Sequence, residues 1–198
     1  MFINSSHLRK LMTTAYKGGG VRIGYIDEGY VIFGGKWGVW LDVNFIPNKV
    51  KAVIMELAGT LPEEGTLFSV SKERPMPQLE MDIHNHAHIN ILQREAKYPV
   101  TVTDVLLDKK HSLYSLLQVN ADKRLILMDM NLMNLIDLSE IDYDQESLPA
   151  GPCTGMSQGM FFWRNATTTL LLLGEAAKTD NTLIAVLSAI DFEQEANK

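Results

Sequence analysis

The chain has 198 residues, 46% hydrophobic and 21% charged, with a net charge of −6 and a single cysteine, Cys153. That balance suits a globular chain long enough to bury a real core and excludes a collagen-like, low-complexity or wholly disordered one. One cysteine excludes an internal disulfide framework, and Met1 to Lys17 lacks the apolar stretch of a secretory signal, so the expected setting is reducing and cytoplasmic. The longest apolar runs, such as Leu170 to Gly174 and Leu183 to Leu187, fall far short of the roughly 18 residues that cross a bilayer, and no membrane association is expected.

Along the chain, Ser5 or Ser6 is placed to cap a helix to about Lys17, with Leu8, Leu11, Met12 and Ala15 at helical spacing and Gly18-Gly19-Gly20 as its stop. Val21 to Ile26 and Tyr30 to Phe33 flank Asp27-Glu28-Gly29 as a hairpin, and a strand at Gly38 to Val43 follows. Pro47 opens a second helix whose stripe is Val50, Val53, Ile54, Leu57 and Ala58, ended by Gly59. Strands are expected at Thr66 to Ser71, Ile83 to Leu92 and Thr101 to Leu107, then a hairpin of Leu113 to Val119 and Arg124 to Asp129. A short helix at Asn131 to Leu138 leads to an acidic loop, a Pro/Gly/Ser-rich stretch to Gly159, and strands at Met160 to Arg164 and Thr168 to Leu173. Thr182 to Ile190 reads as strand or helix. Val31-Ile32-Phe33 with Leu41-Asp42-Val43 echoes Leu125-Ile126-Leu127 with Ile136-Asp137-Leu138. The echo suggests one compact unit of two related halves, about 1–75 and 100–198, in an α+β fold of mainly antiparallel sheet with packed helices.

Charge is unevenly placed. Residues 1–51 hold seven cations, Arg9, Lys10, Lys17, Arg22, Lys36, Lys49 and Lys51, against Asp27, Glu28 and Asp42, a balance of +4 that leaves −10 for the remainder. Such a split fits an anion-facing surface on an acidic body, or a chance partition of solvated charge.

Several strings invite a catalytic reading. Gly155-Met156-Ser157-Gln158-Gly159 has the form of a nucleophile elbow, but Ser147 to Thr154 reads as loop, a strand follows, and every histidine lies at or before His111, ahead of the serine. His84, His86 and His88 alternate, which on a strand puts three imidazoles on one face. They form a candidate site for zinc or another transition metal, with Asp82, Glu80, Glu95 or His111 to complete it. The bland reading is a half-buried strand with wet histidines. Lys17 to Gly20 follows a helix, so it is a stop and not a phosphate loop. Asp137, Glu140, Asp142, Asp144 and Glu146 read as a solvated acidic face. Cys153 has no local group to activate it, Asn165-Ala166-Thr167 matches a glycosylation acceptor, and Trp37, Trp40 and Trp163 either stack on a ligand or pack in the core.

The order helix, hairpin, strand, helix, strand over residues 5–72, carried by Leu8, Leu11, Met12, the string VRIGYIDEGYVIF and the helix PNKVKAVIMEL after Ile46, resembles half of a domain of the DNA sliding clamps. LLQVNADKRLILMD and FFWRNATTTLLLL are similar to that family's hairpins in pattern. This chain is shorter than a clamp subunit, and its histidine-bearing segment has no counterpart there. The resemblance implies paired units whose helices lie on a curved sheet and turn basic faces to duplex DNA, here Arg9, Lys10, Lys17, Lys49 and Lys51. The leading expectation is a non-enzymatic clamp-like module for DNA association or protein assembly, homo-oligomeric through edge strands. The alternatives are a metal-binding protein or metal-dependent enzyme using the histidines, and a structural or small-ligand-binding domain without chemistry.

Overall fold

The structure, a computed structural model, describes residues 1–80, 87–109, 111–155, 159–178 and 182–193. Helix α1 (Ser5–Gly18) is capped by Asn4, one position before the expected serines: its Oδ1 accepts from the His7 amide at 2.9 Å. Strands β1 (Val21–Ile26) and β2 (Gly29–Phe33) turn on Asp27 and Glu28, whose φ of 54° and 60° mark the mirror-image turn that matches strand twist. A side chain at Gly29 would stand 2.5 Å from the Trp40 ring, so the small residue lets Trp40 lie across the hairpin, its Nε1 donating to Ile26 O at 3.1 Å. Strand β3 (Trp37–Asp42), helix α2 (Asn48–Ala58, stopped by left-handed Gly59) and β4 (Thr66–Val70) follow as expected.

After the short strand β5 (Gln78–Leu79), the expected strand at Ile83 to Leu92 is overturned where the chain is described. Residues Ile89–Glu95 form helix α3, while 83–86 lie outside the described residues. Ile89 and Ala96 are buried and Leu92 packs beside them, whereas Ile91 is 49% exposed, so the three-to-four residue period prevails over alternation. Buried Asn90 accepts from Thr169 Oγ1 at 2.7 Å, anchoring α3 to the sheet.

Strands β6 (Tyr98–Lys109), β7 (Ser112–Val119) and β8 (Leu125–Asp129) form a meander, irregular between Val102 and Leu106, where the Thr103 hydroxyl donates to Leu116 O at 2.8 Å. The short helix α4 (Met130–Met133) is followed by a single 3₁₀ turn at Leu138–Glu140. Strands β9 (Ala150–Thr154), β10 (Met160–Arg164) and β11 (Thr168–Leu173) make a second meander. The short strand β12 (Glu175–Ala176) and helix α5 (Thr182–Ser188) complete the fold, which resolves Thr182 onward as helix. Of these, β9 corrects the reading of Ser147 to Thr154 as loop.

Among the described residues the strands form one sheet of twelve, in the order β12-β8-β7-β6-β9-β10-β11-β3-β2-β1-β4-β5, with every neighbouring pair antiparallel. The arrangement is α+β. Meanders β1-β2-β3 and β9-β10-β11 meet through their third strands, and the first strand of each takes one further neighbour, β4 or β6. The sequence echo does not follow this symmetry: Leu125 to Leu127 lie in β8, and Leu138 opens a 3₁₀ turn, whereas Leu41 and Asp42 end strand β3. One sheet face carries α1, α2 and α4 over a core running from Val21 to Leu172. The other carries α3 over Val31, Phe33, Trp40 and Phe162, and α5 over Leu116, Leu125 and Leu127. Burial on both faces explains why β2 and β3 read as continuous apolar runs.

A polar seam ties the chain's start to its second half. The terminal ammonium of Met1 is buried against the Glu146 carboxylate, which also accepts from Thr167 Oγ1 and, at 3.2 Å, from the Asp142 amide. Glu146 is therefore not part of a solvated acidic face, which corrects the sequence reading. Burial alone would raise its pKa, but the bonds from the ammonium, Thr167 and Asp142 together hold the carboxyl below its ordinary value of 4.5. Because the native pKa is depressed, this stabilisation is complete above about pH 4.5 and is lost as pH falls through the lower native value. Glu146→Ala should cost about 3 kcal/mol, the low end for breaking a buried ion pair, read as a denaturant midpoint shift. Glu146→Gln should flatten the acid limb of the stability profile. Glu28→Gly should raise stability by about 0.5–1 kcal/mol in the same assay, by relieving the positive φ.

Candidate nucleic-acid interface

Helices α1 and α2 bury the same kind of stripe, Leu8, Leu11 and Met12 on one and Val50, Val53, Ile54 and Ala58 on the other, against the same sheet face. Their opposite faces therefore point outward together. The two helices lie side by side, and Arg9 Nη2 donates to Glu56 Oε2 at 2.9 Å between them.

All five expected cations lie on this two-helix layer: Arg9, Lys10, Lys17 and Lys49 are exposed and Lys51 is half-buried. Glu56 is the sole carboxylate in either helix, so the layer carries +4 within a chain of −6. Among the described residues no ion pair engages Lys10, Lys17, Lys49 or Lys51, and Arg9 alone is partly neutralised. The other two cations of residues 1–51 are held elsewhere. Arg22 forks onto Glu80 with bonds of 2.6 and 2.5 Å, and Lys36 reaches Glu175 at 2.6 Å. The charge asymmetry of the sequence thus resolves onto the two-helix layer, where Lys10 and Lys17 share one stripe of α1 and Lys49 and Lys51, two residues apart, flank α2 on different sides.

Sequence reasoning missed the hydroxyls beside these lysines. Ser6, Lys10, Thr14 and Lys17 are all exposed at spacings of four, four and three, one stripe of donors along α1. The helical period that identified the buried stripe also marks this polar one.

The other candidates separate. His84 and His86 lie outside the described residues, and His88 stands at the N-cap of α3, with Nδ1 at 3.2 Å from both carboxylate oxygens of Asp27. His111 occupies the β6–β7 turn with φ of 67°. Among the described residues no three His, Cys, Asp or Glu side chains converge as a metal site. Ser157 is outside the described residues too. A strand, β9, does precede its motif, yet strand β10 follows where the elbow requires a helix. Trp37, Trp40 and Trp163 are buried in the core. Asn165 is buried, its Nδ2 donating to Ser147 O at 3.0 Å, so the folded chain offers no glycan acceptor there. No helix of the described residues is long and apolar enough to cross a membrane.

No family model, curated protein or solved structure matches this chain. Burial pushes the Cys153 thiol above its ordinary range, which leaves little thiolate at neutral pH. Labelling with Ellman's reagent at pH 7 should be roughly tenfold slower in the native protein than in denaturant.

Proposed function

We propose that this protein is a binding module that associates with duplex DNA, independently of sequence, through the joint outward face of α1 and α2. The observation that carries the reading is the side-by-side pairing of two helices that together hold five cations and one carboxylate. Phosphates attract such a surface wherever they occur, and hydroxyls such as Ser6 and Thr14 can hydrogen-bond phosphate oxygens alongside the lysines. Burial of the three tryptophans favours contact with the backbone over stacking on unpaired bases. The remainder of the chain, net −10 over residues 52–198, lowers non-specific attraction elsewhere.

Four to five phosphate contacts imply that raising monovalent salt from 50 to 200 mM weakens binding roughly one hundred- to five-hundredfold. Fluorescence anisotropy with a labelled duplex should show binding at the lower salt. Lys49→Glu combined with Lys51→Glu should weaken it at least about tenfold and reduce the salt slope by at least about one contact. Glu56→Gln, which releases Arg9, should tighten binding about two- to threefold. Failure to bind duplex DNA at low salt overturns the reading. Binding that the double reversal leaves unchanged removes this surface from it.

A further inference from the structure

On the sheet face opposite α1 and α2 lies a cavity of about 520 Å³, within the range of small-ligand sites. Its position follows from three local facts. Helix α3 crosses β3 and β11 and ends at Glu95, β9 ends at Thr154, and Gly155 carries no side chain into the gap, where a Cβ would stand 3.6 Å from Glu95 O. The floor is apolar: Phe162 is buried, and Leu92 and Met160 pack on the same cluster.

The opening has a different character. Ile91 and Tyr98 line it at 49% and 37% exposure, so apolar surface continues from the floor to the solvent. Arg94, Lys97 and Glu95 also line the cavity and are exposed, a net charge of +1. Among the described residues none of these three charges is engaged in an ion pair, so the cation excess is available to a ligand. An apolar floor under a rim with one surplus positive charge is complementary to an amphipathic monoanion.

We propose that this cavity binds an aliphatic carboxylate, its chain lying on Leu92, Met160 and Phe162 and its head group meeting Arg94 and Lys97. The site is separate from the helical surface and does not rest on the DNA reading.

Calorimetric titration with decanoate, with 1-decanol as the uncharged control, tests it. Decanoate should bind saturably at one site and at least about tenfold more tightly than decanol, because a charged head group gains from the rim cations. Arg94→Glu with Lys97→Glu should weaken decanoate about tenfold and leave decanol unchanged. Ile91→Glu, at an exposed wall position that the fold tolerates, should weaken both. Thermal midpoints and DNA affinity should stay at parental values in all variants, which keeps this site distinguishable from the helical one. Absence of saturable decanoate binding, equal affinity for decanol, or variants that bind like the parent would each overturn the proposal.

Discussion

The pairing of β3 with β11 is the constraint on which the rest of the molecule depends. Five residues from Trp37 to Leu41 match five from Thr168 to Leu172, two segments far apart in the chain, and this seam turns two separate meanders into one sheet. Both covering layers cross it. Val39 and Leu170 contribute to the core beneath α1 and α2, while Trp40 and Leu171 contribute to the core beneath α3. A sheet closed by so distant a pairing carries a large loop-closure cost, which only the burial on both its faces offsets.

That seam also buries polar groups. Thr168 and Thr169 are fully buried, and neighbouring Thr167 donates to Glu146. Asn90 receives the Thr169 hydroxyl, and the Thr167 carbonyl accepts the Asp42 amide at 2.9 Å. Among the described residues no buried side-chain nitrogen or oxygen lacks a partner. A sheet of Leu, Val and Ile alone can slide by two residues with little change in burial; hydroxyls and amides that must each meet one partner hold it to a single register.

How much of this the sequence discloses varies with how local the cause is. The first 70 residues are legible because each element carries its own mark: helical stripes, a turn that tolerates positive φ at Asp27 and Glu28, and Gly59 at a left-handed stop. The segment ending at Glu95 is not, because alternating histidines and isoleucines mimic a strand, whereas packing of Ile89 and Ala96 on β3 and β11 makes a helix. Strand β9 hides behind Ala-Gly-Pro-Cys-Thr, a composition that favours loops, and becomes a strand because β6 and β10 supply partners on its two sides. The basic residues were visible one by one. The side-by-side placement of the two helices that hold them was not, since helix-against-helix placement is tertiary, and the cavity beside α3 draws its walls from segments too far apart in the chain to suggest each other.

The long β6 strand has one more implication, for solubility. Among the described residues β9 covers it only at Tyr98 and Pro99, so the strand beyond runs along an open edge bearing exposed Val102 and Leu106. Such an edge is a template for an added strand and hence for aggregation. The irregularity between Val102 and Leu106 twists it, and Asp104, Asp108 and Lys109 line it with exposed charge. The distortion that costs β6 part of its ladder with β7, together with these charges, makes the edge a poorer template for a further strand than exposed Val102 and Leu106 alone would be.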